Sequence, residues 1–128
     1  DYLEFGIINN DYEKIVYGSL LDGLGFGNSS TTLGHALSYV FSNEGYSHGH
    51  ALSYTTTLAH KFNSSVFYER FLNIAKKLKF EKISLKQKID KASDLILIDR
   101  KHLDNNPKSV TKEDIIELLN KINHLNLL

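Results

Sequence analysis

Four histidines that lie close together are the side chains of this 128-residue chain best suited to chemistry. His35, His48, His50 and His60 fall within 26 residues, in a part of the chain rich in glycine. Because the chain contains no cysteine, a transition-metal site would need imidazole and carboxylate ligands. His35 is predicted in the first turn of one helix and His48 just before the next, so an antiparallel helical hairpin would bring both imidazoles together. This spacing predicts a site for Fe²⁺ or Zn²⁺.

A complete metal site requires at least one further ligand. The nearby candidates are Asp22, Glu44, His50 and His60. Glu44 precedes His48 by four residues, but Gly45 between them argues against a regular helix that would align the two. His50 points away from His48, so it either neighbours the ligands or faces a bound molecule. The alternative is that these histidines are satisfied by backbone carbonyls or water at helix ends and bind nothing.

The elements that must position these residues are predicted to be helices, because apolar residues recur at helical spacing and no alternating strand pattern is visible. Asp11 can cap the first helix, Thr31 or Thr32 the second, and Thr111 with Asp114 has the spacing of a capping box for the last. The predicted helices cover about 11–25, 33–42, 49–62, 65–78, 84–99 and 111–122. The expected fold is all-α, a bundle of about six helices in one domain, residues 1–128.

Composition excludes several classes of function. Fifteen basic residues balance fifteen acidic ones, which disfavours nonspecific nucleic-acid binding. No apolar run is long enough to span a bilayer and no export signal opens the chain, so we expect a cytoplasmic protein without a membrane partner. The chain begins at Asp1 and contains no methionine, so we expect a processed product or a piece of a longer polypeptide.

One hexapeptide occurs twice. Residues 34–39, Gly-His-Ala-Leu-Ser-Tyr, recur unchanged as residues 49–54. The fifteen-residue interval is far shorter than the period of helical repeat arrays, so the pattern indicates two similarly packed helix starts.

Three motifs in order resemble those of a known family. They are Ser-Leu-Leu-Asp-Gly-Leu-Gly-Phe-Gly-Asn at 19–28, followed by His35; Ser-His-Gly at 47–49; and Asn-Asn-Pro-Lys-Ser-Val-Thr-Lys-Glu-Asp-Ile at 105–115. They resemble the A-G-x-x-F-S-N, P-H-G and N-P-R-x-x-T-x-E-D-I motifs of the C-terminal helical domain of iron-containing (group III) alcohol dehydrogenases. The residues around His35 and His48 are most similar to the phosphonoacetaldehyde reductase branch.

The resemblance implies a role for each matching residue. His35 and His48 would be two ligands of a divalent metal, iron or zinc, and Phe26 would form an aromatic wall of the substrate pocket. Tyr39 stands where many members have a histidine near the nicotinamide, and His50 is placed with it on the substrate side. The family's D-x-x-x-H ligand pair and its nucleotide-binding domain have no match in this chain.

The implied function is therefore that of one part of an enzyme. The complete enzyme would transfer hydride between NAD or NADP and a small alcohol or aldehyde at the metal. These 128 residues alone are expected to be inactive, to pair with a nucleotide-binding domain or chain, and to form a homo-oligomer. Two alternatives stay open: a 3-dehydroquinate synthase-like domain, and a non-catalytic helical module that binds a metal or a partner.

Overall fold

The structure, a computed structural model, describes residues 1–26 and 31–128 and, within them, consists of eight helices and no strand. The helices are α1 (Tyr2–Asn9), α2 (Tyr12–Phe26), α3 (Leu33–Ser42), α4 (His48–Phe62), α5 (Tyr68–Leu78), α6 (Ile89–Leu97), α7 (Arg100–Asp104) and α8 (Lys112–His124). The predicted all-α fold is confirmed. Among the described residues, no helix combines the length and apolar character needed to cross a membrane.

Helix α3 forms the centre of the core. Seven of its ten residues are buried, including Leu33, Leu37 and Phe41, which are fully shielded from solvent. It pairs with α4 as an antiparallel hairpin and also contacts α6 and α7. The hairpin is close enough for the buried Thr55 hydroxyl of α4 to donate to the Gly34 carbonyl at 2.8 Å. The two helices that bear His35 and His48 are therefore fixed relative to one another by packing on most of their length.

Helix α8 closes the core opposite the hairpin. Its buried side chains recur three and four residues apart, as expected of an amphipathic helix: Ile115, Leu118, Leu119 and Ile122. It packs on α4 and α6, and the Lys112 ammonium links it to the carboxylates of Asp90 and Asp94 on α6 at 3.0 and 2.7 Å. The predicted capping box is confirmed, since the Thr111 and Asp114 side chains each bond the other's backbone N–H.

Helices α1 and α2 form a second antiparallel hairpin whose contact is made by glycines. A Cβ on Gly18 would lie 2.6 Å from the backbone nitrogen of Leu3, and one on Gly6 would lie 2.8 Å from that of Ile15. These glycines permit an approach that alanine would block. The hairpin reaches the other helices through α5, where Arg70 forms ion pairs with Asp1 and Glu4.

The predicted set of helices is wrong in two helices that it omits and in the start of a third. The sequence did not predict α1 or α7, so the bundle has eight helices among the described residues and not about six. The helix expected from Ser84 begins at Ile89, because the two backbone N–H groups of Lys86 and Gln87 bond the Glu44 carboxylate instead of starting a helix. The Tyr46 hydroxyl likewise accepts the Ser84 N–H at 3.2 Å.

Candidate metal centre

His35 and His48 meet, as their spacing predicts. His35 lies in the first turn of α3 and His48 is the first residue of α4. Their ring centres are 5.3 Å apart, with the ring planes inclined by 58°. Two imidazoles that bind one metal ion at about 2.1 Å have ring centres roughly 5 Å apart when the angle at the metal is tetrahedral. The pair has the separation of two ligands to a single ion.

A third imidazole, His102, lies beside this pair. Its ring centre is 6.2 Å from that of His35, and it comes from α7, a helix that the sequence did not predict. Asp99, the N-cap residue of α7, holds the ring, because both of its carboxylate oxygens lie 2.7 Å from His102 Nδ1. An ionised carboxylate only accepts hydrogen bonds, so Nδ1 bears the proton. In the neutral imidazole the Nε2 lone pair is then free.

Burial shields the histidine cluster from water and lowers the pKa of one of its imidazoles. The side chains of His102 and Asp99 are 13% and 22% exposed, so most of their hydrogen bond is screened from water. The pKa of His35 is lowered from 6.5, first by burial and then by the proximity of His48 and His102. His35 is therefore neutral at pH 7, which is the protonation state that a metal ligand requires.

Tyr39 joins the three histidines from one helical turn beyond His35. Its ring centre lies 6.4 Å from that of His48 and 5.7 Å from that of His102. The side chain is 42% exposed, although most of α3 is buried. Tyr39 thus borders the histidine cluster on a side that is open to solvent, where a bound molecule could touch it.

His50 lies among other partners. Its Nε2 is 2.6 Å from the Glu81 carbonyl oxygen, and its ring stacks on Phe80 with centres 4.7 Å apart. Tyr46 and Tyr54 flank the same ring. These contacts tie the start of α4 to the segment that follows α5, and they resemble the structural alternative for a histidine at a helix end. The substrate-side role of His50 stays a prediction.

The remaining candidate ligands have other contacts or are exposed to solvent. The Glu44 carboxylate accepts the N–H groups of residues 86 and 87 at 2.8 and 3.0 Å. His60, near the end of α4, packs on Phe71 with ring centres 5.1 Å apart, and Asp22 is exposed on α2. The side chain of Phe26, the predicted aromatic wall, lies outside the described residues.

The described residues provide two of the ligands that a metal site would need. His35 and His48 have the chemistry and separation of two ligands. In the described part of the chain, however, no group of three or more His, Asp or Glu side chains is arranged to hold an ion. The sequence likewise contains no D-x-x-x-H pair.

Comparison with known protein families assigns the chain to one of them. The family described as Fe-containing alcohol dehydrogenase family, C-terminal, matches residues 9–97, well over half of the chain. The chain belongs to this family. Its iron-containing alcohol dehydrogenase region covers α2 to α6 and includes both His35 and His48. No curated protein and no solved structure matches the chain.

The family match ends two residues before Asp99, so it does not include the Asp99–His102 pair. The sequence contained one indication of that pair: an acidic N-cap residue three positions before a histidine places the two side chains together in a first helical turn. The motif at 105–115, which resembles the family, also lies beyond the matched residues.

Proposed function

We propose that this chain is the metal-binding part of an NAD(P)-linked alcohol dehydrogenase or aldehyde reductase, in which His35 and His48 are two of the metal's ligands. The observation that supports this most directly is the 5.3 Å separation of the two rings within a domain of the iron-containing alcohol dehydrogenase family. A bound divalent metal, iron or zinc, would act as a Lewis acid on the alcohol or carbonyl oxygen while hydride moves to or from the nicotinamide. The family match favours this function over that of a dehydroquinate synthase.

The chain's own residues prepare this site. Packing of α3 against α4 holds His35 and His48 at a fixed separation, and burial keeps His35 neutral. Asp99 fixes the His102 ring close to the two ligands, where Nε2 can form a hydrogen bond with a substrate hydroxyl. Tyr39 borders the same space and limits how a substrate can lie there.

The rest of the enzyme would cover the α1–α2 hairpin. Nine large apolar side chains are exposed on these two helices: Tyr2, Phe5, Ile8, Tyr12, Val16, Tyr17, Leu20, Leu21 and Leu24. An apolar surface of this kind is typical of an interface. We infer that a nucleotide-binding domain or chain, which also provides the missing ligands, packs on this hairpin. Self-association of the chain through the same surface follows when that partner is absent.

Titration of the chain with Co²⁺, followed by calorimetry and visible absorption, tests the metal site. We expect one weak site, because two ligands hold an ion loosely. His35→Ala and His48→Ala should each lower the affinity tenfold or more, because even the loss of a residue that orients a ligand costs about 10–100-fold in metal affinity. His124→Ala is the matched control, since His124 bonds only its own helix, at the Asn120 carbonyl. Equal affinity in all three variants would exclude this centre.

The catalytic part of the proposal requires the native polypeptide. Its intact mass shows whether a nucleotide-binding domain lies in the same chain or in a partner. In that complete assembly, NAD(P)-dependent alcohol oxidation should disappear in His35→Ala and persist in His124→Ala. A native product of 14.6 kDa that binds metal but no nucleotide-binding chain would instead support the non-catalytic module.

A further inference from the structure

A cavity of about 610 Å³ adjoins His35 on the side of α3 that faces α4 and α5. Gly34 and His35 line it from the start of α3, and Ala59 and His60 from the end of α4. Its outer wall is formed by Val66, Phe67 and Phe71. The volume lies within the range of about 300–1,000 Å³ that is typical of small-molecule sites. Because His35 borders both, the cavity adjoins the candidate metal centre.

The wall of the cavity combines apolar side chains with the hydroxyl-bearing residues Thr31, Thr32, Thr56 and Ser65. No Lys, Arg, Asp or Glu is among the described residues that line the cavity. The Asn63 side chain, one of its polar groups, is already engaged, because it exchanges two hydrogen bonds of 2.8 Å with Asn106. Burial lowers the pKa of His60, so this imidazole is neutral at pH 7. The cavity therefore has no fixed cation for an anionic ligand.

Exposed apolar side chains at the mouth of the cavity also favour an apolar ligand. Val66 is 87% exposed and Phe67 is 55% exposed, although both are large apolar side chains at the cavity's edge. Their exposure leaves hydrophobic surface that a ligand can cover. Taken with the uncharged wall, this surface favours a carbon chain or ring over a phosphate or phosphonate group.

We infer that this cavity binds the apolar carbon chain of the substrate, with its oxygen beside His35, and selects medium-chain or aromatic alcohols and aldehydes. The inference rests on the proposed dehydrogenase function and specifies its substrate class.

Binding of 1-alcohols to the metal-free chain, measured by NMR titration, tests the cavity independently of the metal site. Affinity should rise about fourfold for each added methylene from ethanol to 1-hexanol, as expected for burial of CH₂ groups. The shifted resonances should include those of His60 and Phe71. Hexylphosphonate should bind more weakly than 1-hexanol. If the chain binds no Co²⁺ but still binds 1-hexanol, the proposed metal centre is rejected and the proposed alcohol-binding cavity is retained.

Two aspartate variants complete the test. Val66→Asp places a charge at the cavity mouth and should lower the affinity for 1-hexanol about fourfold or more, the loss expected for one or more buried methylenes. Leu128→Asp is its matched control, because Leu128 is also exposed but lies outside both the cavity wall and the α1–α2 surface. Circular dichroism verifies that both fold. Affinity that is independent of chain length, tighter binding of hexylphosphonate, or equal effects of the two variants would overturn the inference.

Discussion

Alanine at the first position of each hexapeptide copy should give opposite effects on stability. Gly34 and Gly49 occupy the same place in an identical sequence. A Cβ on Gly34 would lie 2.6 Å from Thr56 Oγ1 and 3.1 and 3.2 Å from Thr56 Cα and Cβ, whereas a Cβ on Gly49 would meet no atom within 4 Å. The Thr56 hydroxyl can rotate away, but its Cα cannot. Gly34→Ala must therefore push α3 and α4 apart by a few tenths of an ångström.

The size of the effect follows from two opposing terms. Overpacking a well-packed contact costs about 1–3 kcal/mol. Replacing a helical glycine with alanine gains up to about 1 kcal/mol through helix propensity. The propensity gain applies to both variants, so the difference between their free energies of unfolding isolates the packing cost. Gly49→Ala should match or exceed the unsubstituted chain, and Gly34→Ala should be about 1–3 kcal/mol less stable than Gly49→Ala.

Urea unfolding followed by far-UV circular dichroism measures this difference. The same two variants also test the link from packing to the site, because the displaced α3 bears His35 and the neighbouring α4 bears His48. We expect Gly34→Ala to weaken Co²⁺ binding and Gly49→Ala to leave it unchanged. If the two variants unfold at the same urea concentration, the close approach of α3 and α4 does not constrain the hairpin, and the reasoning is refuted.

Two further predictions concern single side chains. Glu44→Ala leaves the N–H groups of residues 86 and 87 without their carboxylate and should lower the free energy of unfolding in urea by about 1–2 kcal/mol. The control is Glu117→Ala, which removes an exposed surface pair with Lys121 and should change that free energy by less than about 0.5 kcal/mol. Equal effects of the two variants would show that Glu44 has no structural role. Because burial lowers the pKa of His60 below 6.5, the unfolded chain takes up a proton first as pH falls, so stability should decrease below pH 6.5, and less steeply in His60→Gln. An identical pH slope in that variant would show that His60 is not the buried group.

Local signals in the sequence predicted much of the fold. Asp11 caps α2, where its carboxylate accepts the Lys14 N–H at 3.2 Å, and Thr111 begins α8 through the capping box. Such caps involve residues two or three positions apart, so they are visible in one short stretch of sequence. The same holds for α3, whose predicted ends agree with the structure.

The third imidazole could not be predicted in this way. His102 lies 67 positions after His35, and only the packing of α7 against α3 brings the two rings together. Glu44 shows the reverse situation. It was a candidate ligand because it lies near His48 in the sequence, but its carboxylate instead accepts the N–H groups of the distant residues 86 and 87. Contacts of this kind depend on the arrangement of whole helices, which residue types and short spacings do not determine.

The two hexapeptide copies show, within one pair of identical segments, which contacts the local sequence determines and which depend on helix packing. Both serines make the same local bond, to the carbonyl three residues before, at 2.8 Å from Ser38 and 2.7 Å from Ser53. The tyrosines differ: Tyr39 is partly exposed beside the histidine cluster, while Tyr54 is fully buried and donates to the Phe80 carbonyl at 3.0 Å. Their histidines differ equally, since His35 faces two other imidazoles and His50 is bonded to a backbone carbonyl. Identical residues thus make one local hydrogen bond alike, and the helices packed around each copy determine which side chains surround its histidine and tyrosine.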